Sequence, residues 1–187
     1  GMIIDRNGEP LAVSTPVDTV WADPRKLAQH PQEFARLARA LDRDKNWLAR
    51  RVTSNLDREF VYLVRHMRPA DAARVKALGI TGVDTLREYR RYYPAGEVTG
   101  HLLGFTNVDD VGQEGLELAF DQWLGGVPGI KRVMRDREGR TIEDIERIKA
   151  PRPGQDLRTS IDLRVQYLAY RALKQAVQEN SAHGGSV

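Results

Sequence analysis

Apolar residues along this chain switch between strand-like and helix-like spacing, and most of the switches fall at a proline or a glycine. The fold must therefore combine short strands with short helices. "MIIDRNGEPLAVS" sets Asn7-Gly8 between two apolar segments, which predicts a hairpin closed by a two-residue type I′ turn with positive φ at both positions. Asp23-Pro24 is an N-cap followed by proline at the first helical position. It opens a helical stretch to about Asn55 in which Phe34, Leu37, Ala38 and Leu41 share one face. "EFVYLVRHM" (Glu59 to Met67) reads as a strand, Pro69 to Gly79 as a short helix, and Val83 to Tyr93 as extended chain ended by Pro94 and Gly96. Leu116, Ala119, Phe120, Trp123 and Leu124 stack on one face of a helix that Gly125-Gly126 stops. Beyond it come two strands about a Glu138-Gly139 turn, a linker at "APRPGQD" (150–156), and a long helix with Val165, Leu168, Ala169, Ala172, Leu173 and Ala176 on one stripe.

At 187 residues, 41% hydrophobic and 29% charged, the chain can bury a core, and its size lies between one domain and two small ones. A net charge of +3 with many arginines describes a charge-mixed surface and does not require nucleic acid. The absence of cysteine excludes disulfides, thiolate zinc sites and a cysteine nucleophile. No run of about 18 apolar residues is present. Both ends read as cut, because the chain opens in a strand and "GGSV" begins an apolar segment that does not continue.

Candidate chemistry is sparse. Glu97 and His101 are spaced to share a helical face as a base pair or as two metal ligands, but His30, His66 and His183 supply no further ligand, so a structural role for His101 is favoured. Gly96, Gly100 and Gly104 lack the P-loop arrangement and read as turns and helix ends. There is no G-x-S-x-G elbow and no S-x-x-K serine. Arg90-Arg91 with Tyr92-Tyr93 offers charge and rings to a single-stranded nucleic acid, yet alternation along a strand sends neighbours to opposite faces, so no nucleic-acid partner is expected.

Three segments in order resemble class B penicillin-binding proteins. "GMIIDRNGEPLA" is similar to the family's R-G-x-I-x-D-R-x-G-x-x-L-A motif at Gly1, Ile3, Asp5, Arg6, Gly8, Leu11 and Ala12, without its leading arginine. "RRYYPAGEVTGHLLGF" is similar to R-x-Y-P-x-G-x-x-x-x-H-x-x-G at Arg91, Tyr93, Pro94, Gly96, His101 and Gly104. "GQEGLELAFDQWLGGVPG" resembles the third motif, through Glu114, Gly115 and the glycine-rich end. "SIDLRVQYLAYRAL" resembles the first helix of the transpeptidase domain. The short join between the second and third motifs resembles the division-specific, septal branch.

The resemblance implies an α+β fold, an elongated pedestal of the dimerisation-domain type with a small helical lobe and the first helix of a truncated transpeptidase domain. Residues 1–158 would form the non-catalytic pedestal, with β parts at 1–22 and 83–158 and the helical lobe at 24–80, and residues 159–187 would start the transpeptidase. The implied function is to position and regulate the enzyme domain that cross-links septal peptidoglycan, on the periplasmic side of the bacterial inner membrane. A free-standing periplasmic interaction module is the alternative. No cofactor, metal or catalytic residue is expected in this segment. The implied partners are the chain's own transpeptidase domain and membrane division proteins including a peptidoglycan glycosyltransferase, with membrane contact only through an anchor absent from this sequence. Asp5, Arg6, Arg91 and Glu114 offer opposite charges that would pair across segments, with Arg6 and Arg91 as struts. The apolar stripe of the last helix must dock on a neighbour, dimerise or fray.

Overall fold

A computed structural model of the chain describes residues 1–135 and 141–187. The fold is α+β and divides into two units, Gly1–Ser14 with Arg91–Val187, and Thr15–Arg90. No helix among the described residues is long and apolar enough to cross a membrane.

The first unit begins with strand β1 (Ile3–Ile4), which pairs antiparallel with the start of β2 (Pro10–Ala22), Ile3 opposite Ala12. The turn between them differs from the predicted type I′. Gly8 has φ 92°, but Asn7 is not among the residues with positive φ. The Asp5 N–H donates to the Glu9 carbonyl (2.9 Å) and the Gly8 N–H to the Asp5 carbonyl (3.2 Å), a longer closure ending in a left-handed glycine. The cause is the Asp5 carboxylate, which accepts from the amides of Asn7 (2.7 Å) and Glu9 (2.9 Å) and so organises the loop from within.

In the second unit β2 pairs antiparallel with β3 (Val61–Met67), Val20 opposite Val64 and Trp21 opposite Tyr62, and it also pairs with β4 (Val83–Tyr92). The register slips between Asp18 and Val20, where β3 carries His66 at φ 55°. The predicted helical stretch is three helices. Asp23 caps α1 (Pro24–Leu27), a left-handed Asp42 (φ 54°) ends α2 (Phe34–Ala40), and Asp44 caps α3 (Lys45–Thr53). With α4 (Pro69–Lys76) they bury Leu27, Leu37, Leu48, Val52 and Val75 against Val20 and Leu63 of the strands.

Back in the first unit, the chain forms a 3-10 turn at Gly96–Val98 and then α5 (Gly100–Leu103). The single helix predicted across Leu116 to Leu124 is two, α6 (Gly115–Ala119) and α7 (Asp121–Leu124), broken at Phe120 (φ −117°, ψ 22°). The predicted apolar face packs only in part: Leu124 is buried and Leu116 packs against the core, but Phe120 and Trp123 are exposed while Glu117 is buried. Polar bonds override the stripe: Glu117 meets Arg91, and the Asp121 carboxylate accepts from the Gly112 amide (2.7 Å).

Strands β5 (Ile130–Arg135) and β6 (Thr141–Lys149) pair antiparallel, and the Glu138-Gly139 turn expected between them lies outside the described residues. Residues 150–156 are not slack: Val127 and Arg152 exchange backbone hydrogen bonds (2.8 and 2.9 Å), and the Gln155 N–H donates to the Trp123 carbonyl (2.9 Å). β7 (Leu157–Arg158) then lies parallel to β1. The closing helix α8 (Leu163–Glu179), capped by Asp162, has no buried residue. Of its predicted stripe only Ala169 and Leu173 are half-buried, whereas Val165 and Leu168 are 63% and 61% exposed. Polar anchors turn the other face inward: Gln166 Nε2 donates to the Val98 carbonyl (3.1 Å) and Lys174 Nζ to Glu97 Oε1 (2.9 Å). The small core of this unit is Ile3, Leu11, Ala12, Leu103 and Leu124.

Gly104 and Gly115 cross backbone to backbone. Gly104 has φ 72°, and a Cβ there would fall on the Glu114 carbonyl; a Cβ on Gly115 (φ 58°) would lie 2.6 Å from the Gly104 nitrogen. Gly104→Ala should therefore cost more than about 2 kcal/mol, from strain plus displaced backbone. Gly96→Ala, at φ 51° in open space, should cost about 1 kcal/mol. Equal losses for the two in urea denaturation would contradict the crossing.

Candidate functional site

Arg91 closes β4 with its side chain only 6% exposed, and it meets the 3% exposed Glu117 of α6 through Nε to Oε1 at 2.7 Å. Its Nη1 donates to the Gly1 carbonyl (2.6 Å) and to Ser14 Oγ (3.1 Å). One guanidinium thus joins the end of β4, Gly1 ahead of β1, Ser14 of β2, and α6, using the planar fork that lysine lacks. Dehydrating two charges is costly and is offset only when geometry is good and further hydrogen bonds are made; here Nε and Nη1 make them, while Nη2 is buried without a partner. Tyr93, two residues on, has its hydroxyl buried without a hydrogen bond of normal geometry, although Thr106 lies beside it. Burial first, then the Glu117 charge, push the Tyr93 phenol up to about 12, so it stays neutral.

Asp5 organises a second node. It is 1% exposed, and its carboxylate accepts from the amides of Asn7 and Glu9, from Asn7 Nδ2 (3.3 Å), and from the Leu163 N–H at the start of α8 (3.2 Å). Burial alone would raise its pKa. The hydrogen bonds from Glu9, Leu163 and Asn7 outweigh it and bring the carboxyl down to about 2. Asn7 Nδ2 also donates to Asp162 Oδ2 (3.2 Å), the cap of α8. The Arg6 N–H donates to the Ile161 carbonyl (2.8 Å), and Thr159 Oγ1 to the Ile4 carbonyl (3.0 Å). The β1 turn is stitched to the first turn of α8.

The motif residues do not all act as expected. Arg6 is exposed and works through its backbone, its carbonyl accepting from Arg158 Nη2 (2.7 Å); among the described residues its guanidinium makes no ion pair. Glu114 does not meet Arg91. It is exposed just ahead of α6, and the carboxylate inside is Glu117, three residues later, because a helical turn brings that position to the buried side. Asp5 pairs with amides rather than with an arginine. Gly8 takes the left-handed turn position, Pro94 and Gly96 shape the turn after β4, where the Gly96 N–H donates to the Tyr93 carbonyl (3.1 Å), and Gly104 and Gly115 make the backbone crossing. His101 is exposed on α5, and Glu97 is held below its ordinary pKa by the hydrogen bond from Lys174.

Glu117, Asn7 and Asp162 were missed as site residues. Asp162, directly before a long apolar-periodic helix, carries a capping signal that would have found it. Glu117 carries only the weak signal of an acid inside an apolar run. Among the described residues no cluster of three or more His, Cys, Asp or Glu is placed to hold a metal ion. The arrangement fixes segments at set angles.

The family described as the penicillin-binding protein dimerisation domain matches residues 1–159. The whole chain is 47% identical to the probable peptidoglycan D,D-transpeptidase PbpC of Pseudomonas aeruginosa, covering 33% of that protein. It is 46% identical to the peptidoglycan D,D-transpeptidase FtsI of Escherichia coli, covering 32% of it. The chain thus spans about a third of these relatives. Its fold resembles PBP2 of Helicobacter pylori, solved in complex with MreC, with a TM-score of 0.71 and 21% identity over 94% of this chain and 37% of that one. It also resembles penicillin-binding protein 2X of Streptococcus thermophilus, with a TM-score of 0.65 and 19% identity over 95% of this chain and 30% of that one.

Two outcomes follow from the nodes. Arg91→Ala strands the Glu117 carboxylate and should lower the unfolding free energy by about 3–5 kcal/mol, whereas Arg91→Met with Glu117→Leu should cost far less. A single-variant loss below about 1 kcal/mol in urea would mean a solvated pair. Asp5 has a lower pKa folded, about 2, than its ordinary 3.8. Its contribution is therefore complete above the ordinary value and is lost as pH falls towards 2. An acid titration followed by near-ultraviolet circular dichroism should show this loss, and Asp5→Asn should lack that leg.

Proposed function

We propose that this chain, which belongs to the penicillin-binding protein dimerisation domain family, is the non-catalytic N-terminal region that positions and regulates the transpeptidase of a class B penicillin-binding protein. Residues 1–158 serve as the pedestal and residues 159–187 start the transpeptidase domain. The observation that carries the reading is the pair of buried nodes: family-motif residues sit in polar joints between segments, and one joint grips the first turn of α8. The exposed Val165 and Leu168 suit a helix whose outer face the remaining enzyme domain covers.

The complete protein acts as a D,D-transpeptidase cross-linking septal peptidoglycan on the periplasmic side of the inner membrane, held there by an anchor. The similarity to relatives named as D,D-transpeptidases supports this activity, and FtsI among them supports the division role. The protein works with membrane division proteins, including a peptidoglycan glycosyltransferase. That a structural neighbour was solved in complex with MreC supports a protein partner for the complete protein.

Fluorescent penicillin tests the reading. This fragment should take no covalent label, while the complete protein takes one. Arg91→Ala in the complete protein should leave labelling nearly unchanged yet weaken division. A stoichiometric adduct on the fragment, or loss of labelling in Arg91→Ala while the fold persists, would place reactive chemistry in the segment and end this assignment.

A further inference from the structure

Asn7-Gly8 is the one Asn-Gly pair in the chain. An asparagine before glycine is prone to intramolecular attack, because glycine presents its amide nitrogen without a Cβ to obstruct it. Asn7 and Gly8 are exposed to water, yet their reacting atoms are engaged. The Gly8 N–H donates to the Asp5 carbonyl (3.2 Å), and Asn7 Nδ2 donates to Asp5 Oδ2 (3.3 Å) and Asp162 Oδ2 (3.2 Å). Asn7 is thus the neutral donor lying between two carboxylates, and its hydrogen bond is the leading cause that holds the Asp162 carboxyl below its ordinary range.

We propose that Asn7 is a site of spontaneous deamidation, that the closed contact between the β1 turn and α8 slows the reaction, and that the product carboxylate opens that contact. In the reaction the Gly8 nitrogen attacks Asn7 Cγ and forms the new C–N bond of a succinimide. The Cγ–Nδ2 bond breaks, and ammonia leaves with the proton that Gly8 gives up. Water then opens the ring at either carbonyl to give aspartate or isoaspartate, so the net change is one water in and one ammonia out. The product loses both donated hydrogen bonds and sets a third negative charge against Asp5 and Asp162. A charge-changing modification beside like charges disrupts by repulsion. The change is irreversible, so it marks the age of a molecule at the joint where its two segments meet. The inference rests on this geometry alone and does not depend on which enzyme domain follows.

Peptide mass spectrometry over time in mildly alkaline buffer tests it, with Asn180, which precedes Ser181, as the internal reference. The urea-unfolded chain should convert at Asn7 ahead of Asn180, and the folded chain should convert at Asn7 more slowly than the unfolded one. Asp162→Ala, which removes one charged acceptor, should speed the folded reaction about tenfold, as expected for loss of a charge-assisted hydrogen bond. Asn7→Asp should lose hydrogen-exchange protection at the Leu163 amide while amides of β3 keep theirs. Conversion at Asn180 with Asn7 intact, equal rates in folded and unfolded chains, or unchanged Leu163 exchange in Asn7→Asp would each overturn the proposal.

Discussion

The Arg91–Glu117 pair is the interaction around which the first unit is arranged. A guanidinium at 6% exposure has to be answered on several sides, and the answers come from the Gly1 carbonyl, a serine and a helix side chain that are far apart in sequence. That requirement explains features that look unrelated. Glu117 lies inward although apolar residues surround it in sequence, the predicted helix breaks at Phe120, and Phe120 and Trp123 stay in water. A core as small as Ile3, Leu11, Ala12, Leu103 and Leu124 gives little directional preference, and a directional polar contact supplies it.

Asp5 applies the same logic to the other end of the unit. A carboxylate taken from water is stable there because amide donors surround it, and one of those donors belongs to α8. The hairpin turn and the helix start are therefore one structural feature. Asn7 completes it by reaching from the turn to the helix cap.

Much of the architecture was legible from local signals. Asp23-Pro24, Pro69 with Gly79, and Pro94 with Gly96 bound the helices and strands near the expected places, because caps, fixed proline φ and left-handed glycines act within a few residues. The motif positions also picked out Asp5 and Arg91, the two residues at the centres of the nodes. Their partners were not legible. Glu114 and Arg6 looked as suitable as Glu117 and the Leu163 amide, since composition does not record which group a tertiary contact leaves without water.

The sequence by itself determined most element types, several caps and the places where the chain turns, and the presence of charged residues in glycine-rich company, all of which follow from short-range sterics and hydrogen bonding. Only the tertiary structure decided which charge went inside, which face of α8 packed, and that the β1 turn and α8 share a carboxylate. Those choices compare the cost of dehydrating one group with the bonds offered by segments up to about 160 residues away, as from Asp5 to Leu163. That comparison exists only once the chain has brought them together.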